Sequence, residues 1–156
     1  MSFVSLAPSS TPAADTRVEN DGWFPDIDLD KARKAVRLDG SITPERLLHA
    51  AINAVIAVNA ELAEWKALQL AQERPSLGDV PASKVNGESV QVARYLRAVY
   101  SFIKAELAER YRDFDTTGAG ERKADNLVET ADDYRRDGRW AIRDMLGVGR
   151  TTVELI

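Results

Sequence analysis

The feature that most narrows what this chain can fold into is a run of apolar or small residues near its C-terminal end. Ala124, Leu127, Ala131, Tyr134, Gly138, Ala141 and Met145 follow one another in steps that alternate three and four without a miss. At 3.6 residues per turn that rhythm puts all of them on one stripe of an α-helix, whereas a strand repeats with period two. The spacing predicts a helix from about Glu121 to Leu146 carrying the kind of seam by which nearly parallel helices pack. Gly138 lies on that seam at a cost of about 1 kcal/mol in helix propensity relative to alanine, which implies either a neighbouring backbone at close range or a bend.

The same rhythm recurs upstream. Ala93, Leu96, Tyr100, Ile103, Leu107, Tyr111 and Phe114 predict a helix from about Glu88 to Phe114, closed by the loop Asp115-Thr116-Thr117-Gly118-Ala119-Gly120. Ala51, Val55, Val58, Leu62 and Trp65 form the stripe of a helix from Pro44 to about Glu73. Thr43 is its expected N-cap, Pro44 suits the first turn, Glu45 suits the positive end of the dipole, and Pro75 forbids continuation. A shorter helix is expected from about Asp28 to Leu38, ending at Gly40. Residues 75–87, with two prolines, two glycines and Asn86, read as a connecting loop pinned by Leu77 and Val80.

Residues 1–22 are rich in Ser, Thr, Pro, Ala and Asp and have no apolar period, so they read as a mobile arm, with the fold starting near Trp23. Residues 147–156 switch to β-branched side chains after a two-glycine hinge, a composition suited to adding a strand to a partner's sheet. The expected architecture is therefore all-α: an elongated bundle of three long helices plus a short N-terminal helix over residues 23–146, with extended arms at both ends. Each long helix would span about 40 Å at 1.5 Å per residue, which describes rods and not a compact enzyme scaffold.

The chemistry on offer is thin. Cysteine is absent and His49 is the single histidine, so the chain alone offers neither thiolate metal sites nor a multi-histidine site nor a conventional hydrolase triad. The absence of cysteine suits a reducing compartment such as a cytoplasm. The first eight residues lack the basic flank and long apolar run of a signal peptide, and the most apolar stretch, Leu47 to Leu62, is interrupted by His49, Asn53, Asn59 and Glu61, so no membrane span is expected. His49 reads as a surface or packing residue. Asp26, Asp28 and Asp30 imitate the start of a calcium loop, but Lys31 and Arg37 stand where glycine and a bidentate glutamate are needed, so they read as helix-start residues. Gly118 and Gly120, like Gly147 and Gly149, complete no phosphate-binding fingerprint and read as turns.

With 21 basic and 25 acidic residues the formal charge is −4, which excludes a surface-wide polycation for duplex DNA. Arg135, Arg139 and Arg143, spaced by four on one ridge beside Arg136, are the candidates for phosphate contact. Asp132, Asp133, Asp137 and Asp144 surround and are expected to pair with them. Glu106, Glu109, Arg110, Arg112 and Asp113 read first as a solvated, ion-paired face and second as a charge pattern able to set register against a neighbour.

Several segments, in this order, resemble the phage head completion (GPL) family: Trp23-Phe24-Pro25-Asp26-Ile27-Asp28, Asn59-Ala60-Glu61-Leu62, Leu77-Gly78-Asp79-Val80-Pro81-Ala82, Asn86-Gly87-Glu88-Ser89-Val90, Glu109-Arg110-Tyr111-Arg112, Gly120-Glu121-Arg122-Lys123-Ala124-Asp125 and Arg135-Arg136-Asp137-Gly138-Arg139-Trp140-Ala141. The resemblance implies a non-enzymatic helical adaptor at the head–tail neck of a virion, assembled in the bacterial host cytoplasm. By the same resemblance it would join the portal protein after DNA packaging, stabilise the filled head and offer a surface to tail or neck proteins. It further implies a homo-oligomeric ring, dodecameric if it matches the portal, around a channel through which packaged DNA passes without sequence-specific binding. Thr151, Thr152, Val153, Glu154, Leu155 and Ile156 are then the candidate contact to portal or neighbouring subunit, and no cofactor is implied. The alternatives are a helical nucleic-acid-binding or regulatory protein using the arginine ridge and, behind it, an enzyme with a carboxylate metal site on a bundle, for which the usual Glu-x-x-His pairs are missing.

Overall fold

Asp28 and Thr43 each start a helix by the same device. The Asp28 carboxylate accepts the Lys31 amide at 2.9 Å and opens α1 (Leu29–Ala35), and the Thr43 hydroxyl accepts the Arg46 amide at 3.4 Å and opens α2 (Pro44–Glu61). The computed structural model describes residues 16–38, 40–111 and 118–149, and at 111 and 118–130 only the helical course of the backbone. In chain order it contains β1 (Arg17–Val18), β2 (Ile27–Asp28), α1, α2, α3 (Ala63–Ala71), a 3₁₀ turn (Leu77–Asp79), β3 (Lys84–Val85), β4 (Glu88–Ser89), α4 (Val90–Tyr111) and α5 (Gly118–Leu146).

The fold is mostly helical but not all-α, because two short antiparallel ribbons accompany the helices. In the first, Val18 pairs with Ile27 and Arg17 with Asp28, so residues 17 and 18 of the stretch expected to be an arm form a strand, and Val18 is buried in the core; residues 1–15 of that stretch lie outside the described residues. In the second, Val85 faces Glu88 across Asn86-Gly87, both at positive φ (50° and 78°) as a two-residue hairpin requires. The Asn-Gly pair inside the expected loop was the signal for it. Leu77 and Val80 do pin the loop, at 1% and 6% exposure.

The long helix expected from Pro44 to Glu73 is instead two helices, bent by 60° at Leu62. Neither glycine nor proline marks the break. Leu62 is fully buried there, and the turn brings Trp65 edge-on to Trp23 (5.9 Å between ring centroids) and Lys66 to Asp21 (2.7 Å). The bundle therefore has two long helices, α4 and α5, and a bent α2–α3 pair. At 18 residues α2 extends roughly 27 Å, shorter than the expected rod.

The ends of α1, α3 and α5 share one geometry. The amides of Leu38, Arg74 and Val148 bond the carbonyls of Arg33, Gln69 and Arg143 at 3.1, 3.2 and 3.0 Å, each across a left-handed residue: Arg37 (φ 50°), Glu73 (59°) and Gly147 (71°). These are Schellman closures. Only α5 uses the glycine that sequence reading looks for, so α1 stops before the expected Gly40, and Gly147 serves as a helix cap in place of a hinge.

On α5 the stripe holds at Ala131, Gly138, Ala141 and Met145, which are buried, while Tyr134 is half-buried and Ala124 and Leu127 lie outside the described side chains; the helix starts at Gly118, so Gly118 and Gly120, expected as turns, belong to its first turn. Close approach is the reason for Gly138. A Cβ there would stand 3.0 Å from the Phe102 ring and 3.4 Å from the Ala98 carbonyl oxygen of α4. On α4 the buried set is Tyr95, Ala98, Val99, Ile103, Ala105, Leu107 and Ala108, so the predicted stripe holds at Ile103 and Leu107, while Ala93 is exposed and Leu96 and Tyr100 are half-buried. α4 is wedged between α2 and α5 and buries two faces where one was expected. Among the described residues no single helix is long and apolar enough to cross a membrane.

Candidate interaction surfaces

The described polar residues are mostly spent on structure. His49 is exposed on α2, with Nδ1 3.2 Å from Asn53 Nδ2 and 3.9 Å from Glu106. Asp26 accepts the Asn20 amide at 2.8 Å and pairs with Arg17 at 2.7 Å, bracing the first ribbon, while Asp28 caps α1. Of the three aspartates only Asp28 is thus a helix cap; Asp30 lies in the first turn of α1.

On α5, Arg135 pairs with Glu109 of α4 and with Asp132 (3.2 Å), and Arg136 pairs with Asp133 (2.7 Å) while lying 5.0 Å from the Trp140 ring centroid. The expected neutralisation by Asp132 and Asp133 is in place. Arg143 donates to the Gly149 carbonyl at 3.2 Å and Arg139 is exposed. Arg110 pairs with Glu106 at 2.9 Å; Arg112 and Asp113 lie outside the described residues, as do Thr151 to Ile156.

The N-terminal segment that sequence reading left unstructured supplies the best-formed polar cluster. Asn20 donates to Tyr95 Oη (2.8 Å) and to the Pro25 carbonyl (2.9 Å), Tyr95 donates to Asn59 Oδ1 (2.7 Å), and Asn59 donates to Asn20 Oδ1 (2.9 Å). Phe24 stacks on Tyr95, and Trp23 Nε1 donates to the Arg74 carbonyl at 2.9 Å. These residues join β1–β2 to α2, α4 and the segment after α3, and the Leu77 amide donates to the Trp23 carbonyl at 2.9 Å, so the stretches Trp23 to Asp28, Asn59 to Leu62 and Leu77 to Ala82 meet at one corner.

Among the described residues, two of the surfaces open to contact differ in character. A recess of about 540 Å³ lies between the end of α1, α4 and α5, floored by Leu96, Tyr100 and Tyr134 and edged by Arg37, Arg97 and Lys104. Burial raises the Tyr100 phenol above its ordinary value, and the charges of Asp28 and Glu88 add to that. Opposed to it in character is a second apolar stripe on α2, Ile52, Ile56 and Ala60, spaced by four and exposed, followed past the bend by exposed Ala63, Ala67, Leu68 and Leu70 of α3. That second stripe was readable by the same spacing rule as the buried one, but the sequence reading named only the inner stripe. A smaller exposed group, Val85, Leu146 and Val148, includes the last turn of α5 just ahead of the C-terminal tail.

The family model described as phage head completion protein (GPL) matches residues 18–156. The chain is also similar to the head completion/stabilization protein of Escherichia phage P2, at 40% identity over 146 residues that cover 93% of this chain and 86% of that protein. No solved structure matches it significantly.

Proposed function

The chain belongs to the phage head completion protein (GPL) family, and from that membership we propose that it is a non-enzymatic adaptor that completes and stabilises the DNA-filled head. In this reading it binds the portal vertex after packaging, stands as a ring at the head–tail neck and presents the surface to which tail or neck proteins attach. The observation that carries the reading is the family match across residues 18–156, which takes in every described helix and all of the strands but Arg17. The structure is consistent with it chemically: large apolar side chains lie exposed on α2–α3, while Asp26, Asp28, Glu106 and Arg135 are engaged in a cap or ion pairs. Exposed apolar stripes of this kind mark surfaces that another protein covers.

The test is a deletion of the gene in its phage. Packaged heads that lose DNA and fail to join tails, rescued by adding back the chain, are expected. Normal yields of joined, DNA-retaining particles would refute the assignment. The alternative as a nucleic-acid-binding protein is disfavoured by the pairing of Arg135 and Arg136 with Glu109, Asp132 and Asp133, which leaves less net positive charge on the ridge for phosphate.

A further inference from the structure

We propose that the outer stripe of α2–α3 is the surface by which one copy of this chain seats on the next, Ile52 and Ile56 entering the recess between α1, α4 and α5 of the neighbour. This deepens the ring reading above and rests on it for the existence of a ring, but the surfaces are assigned from geometry and charge.

α2 is apolar on two faces. Its inner stripe of Ala51, Val55 and Val58, with Leu62 at the break, is consumed by the core, yet Ile52 and Ile56 of α2 and Leu70 of α3 remain 40%, 63% and 48% exposed. Those three side chains alone leave roughly 300 Å² of apolar surface in water, within reach of the largest patch found on a typical monomer. That is a substantial part of the ~800 Å² one side of a stable interface buries, and the alanines between them let a partner approach closely.

The occupant is identified by what the rest of the chain offers. Glu45, two turns ahead of Ile52 on the same helical face, puts an exposed acid at the end of the stripe, a charge that suits a partner surface with a basic edge. The recess has the complementary character, an apolar floor with Arg37, Arg97 and Lys104 at its edge against Glu88 and Asp137, and its volume of about 540 Å³ admits two isoleucine side chains. It also lies on the other side of α4. Tyr95 and Glu106 reach from α4 to Asn59 and Asn53 of α2, whereas Arg97, Tyr100 and Lys104 fall on the opposite helical face at 100° per residue. A projection on one side and a socket on the other give a heterologous, head-to-tail contact, the type that generates rings.

Because the chain contains no cysteine, the contact can be tested by placing two. Ile56→Cys and Ala93→Cys, both at exposed positions, are introduced together and singly into the full chain, assembled into phage particles and oxidised. The proposal expects the double variant to give a ladder of covalent multimers and each single variant to stay at monomer mass. If the chain is present in particles but the double variant does not cross-link, or Ile56→Cys alone yields dimers, the assigned surfaces are wrong while the ring reading survives. Absence of the chain from particles sinks the ring reading and this inference with it. As a second measurement, Ile56→Glu is expected to leave the thermal unfolding of the isolated chain unchanged and to lower its incorporation into particles at least tenfold; full incorporation would overturn the assignment.

Discussion

The ring of Phe24 lies flat on that of Tyr95, with centroids 4.6 Å apart and planes 12° from parallel. This stack closes one side of the Tyr95 hydroxyl's environment while Asn20 and Asn59 close the other. One aromatic pair thus ties the N-terminal ribbon to the middle of the bundle.

Tyr95→Phe removes the hydroxyl and leaves the Asn59 oxygen and an Asn20 amide hydrogen without partners inside the fold. The expected loss is about 1–3 kcal/mol, read from urea unfolding with an unchanged denaturant slope. Burial raises the Tyr95 phenol well above its ordinary value, so the folded chain keeps its proton at pH values where the unfolded chain has lost it. Stability is therefore retained below about pH 10 and falls as the pH climbs above it, by up to about 1.4 kcal/mol per unit for this group. The phenylalanine variant should lose less stability than the wild type over that alkaline range; identical slopes would refute the assignment.

Asp21 titrates with the opposite sign. Burial pushes its carboxyl up, but the Lys66 ammonium and the amides of Phe24 and Trp23 together outweigh it and hold it below the ordinary carboxylate value. The contribution is present above the unfolded value near pH 4 and is lost as the pH falls through the folded one. Asp21→Asn is expected to be less stable than the wild type at pH 7 and to converge with it in acid. A constant gap down to about pH 2 would contradict the linkage.

Gly138→Ala gains helix propensity of about 1 kcal/mol but drives a methyl into Phe102, and the net effect is expected to be destabilising by about 1 kcal/mol. In a Phe102→Ala background the obstruction is gone, and the same glycine substitution should become stabilising. Thermal unfolding of the four proteins of this cycle checks the sign reversal.

Glu73 occupies a left-handed position that closes α3, where a Cβ is strained. Glu73→Gly is expected to stabilise the chain by up to about 1 kcal/mol, while Gly147→Ala at the matching position of α5 should cost a similar amount. Parallel urea titrations decide it, and equal signs for the two would be the wrong result.

Deleting Thr151 to Ile156 is expected to abolish portal binding while leaving the circular dichroism of the helices intact. Pull-down of purified portal with the truncated and full chains measures it. Undiminished binding would remove the tail from the contact.

Features that depend on residues close in the chain were legible in the order of the amino acids. The seam of α5, the Thr43 cap with Pro44, the Asp28 start of α1 and the loop held by Leu77 and Val80 all follow from helical spacing, proline geometry and side-chain hydrogen bonds spanning a few residues. The order of short segments from Trp23 to Ala141 was likewise enough to indicate the family. Tertiary structure alone decided the break at Leu62, which no local signal marks and which the contacts of Trp65 with Trp23 and Lys66 with Asp21 accompany. It decided that residues 17–22 are ordered, because Val18 and Asn20 gain their partners from Ile27 and Tyr95, distant in sequence or reached only through the turn. It also decided which of α2's two apolar stripes faces inward. Both satisfy the same periodicity, and only the position of α4 settles which one the core consumes and which one stays exposed.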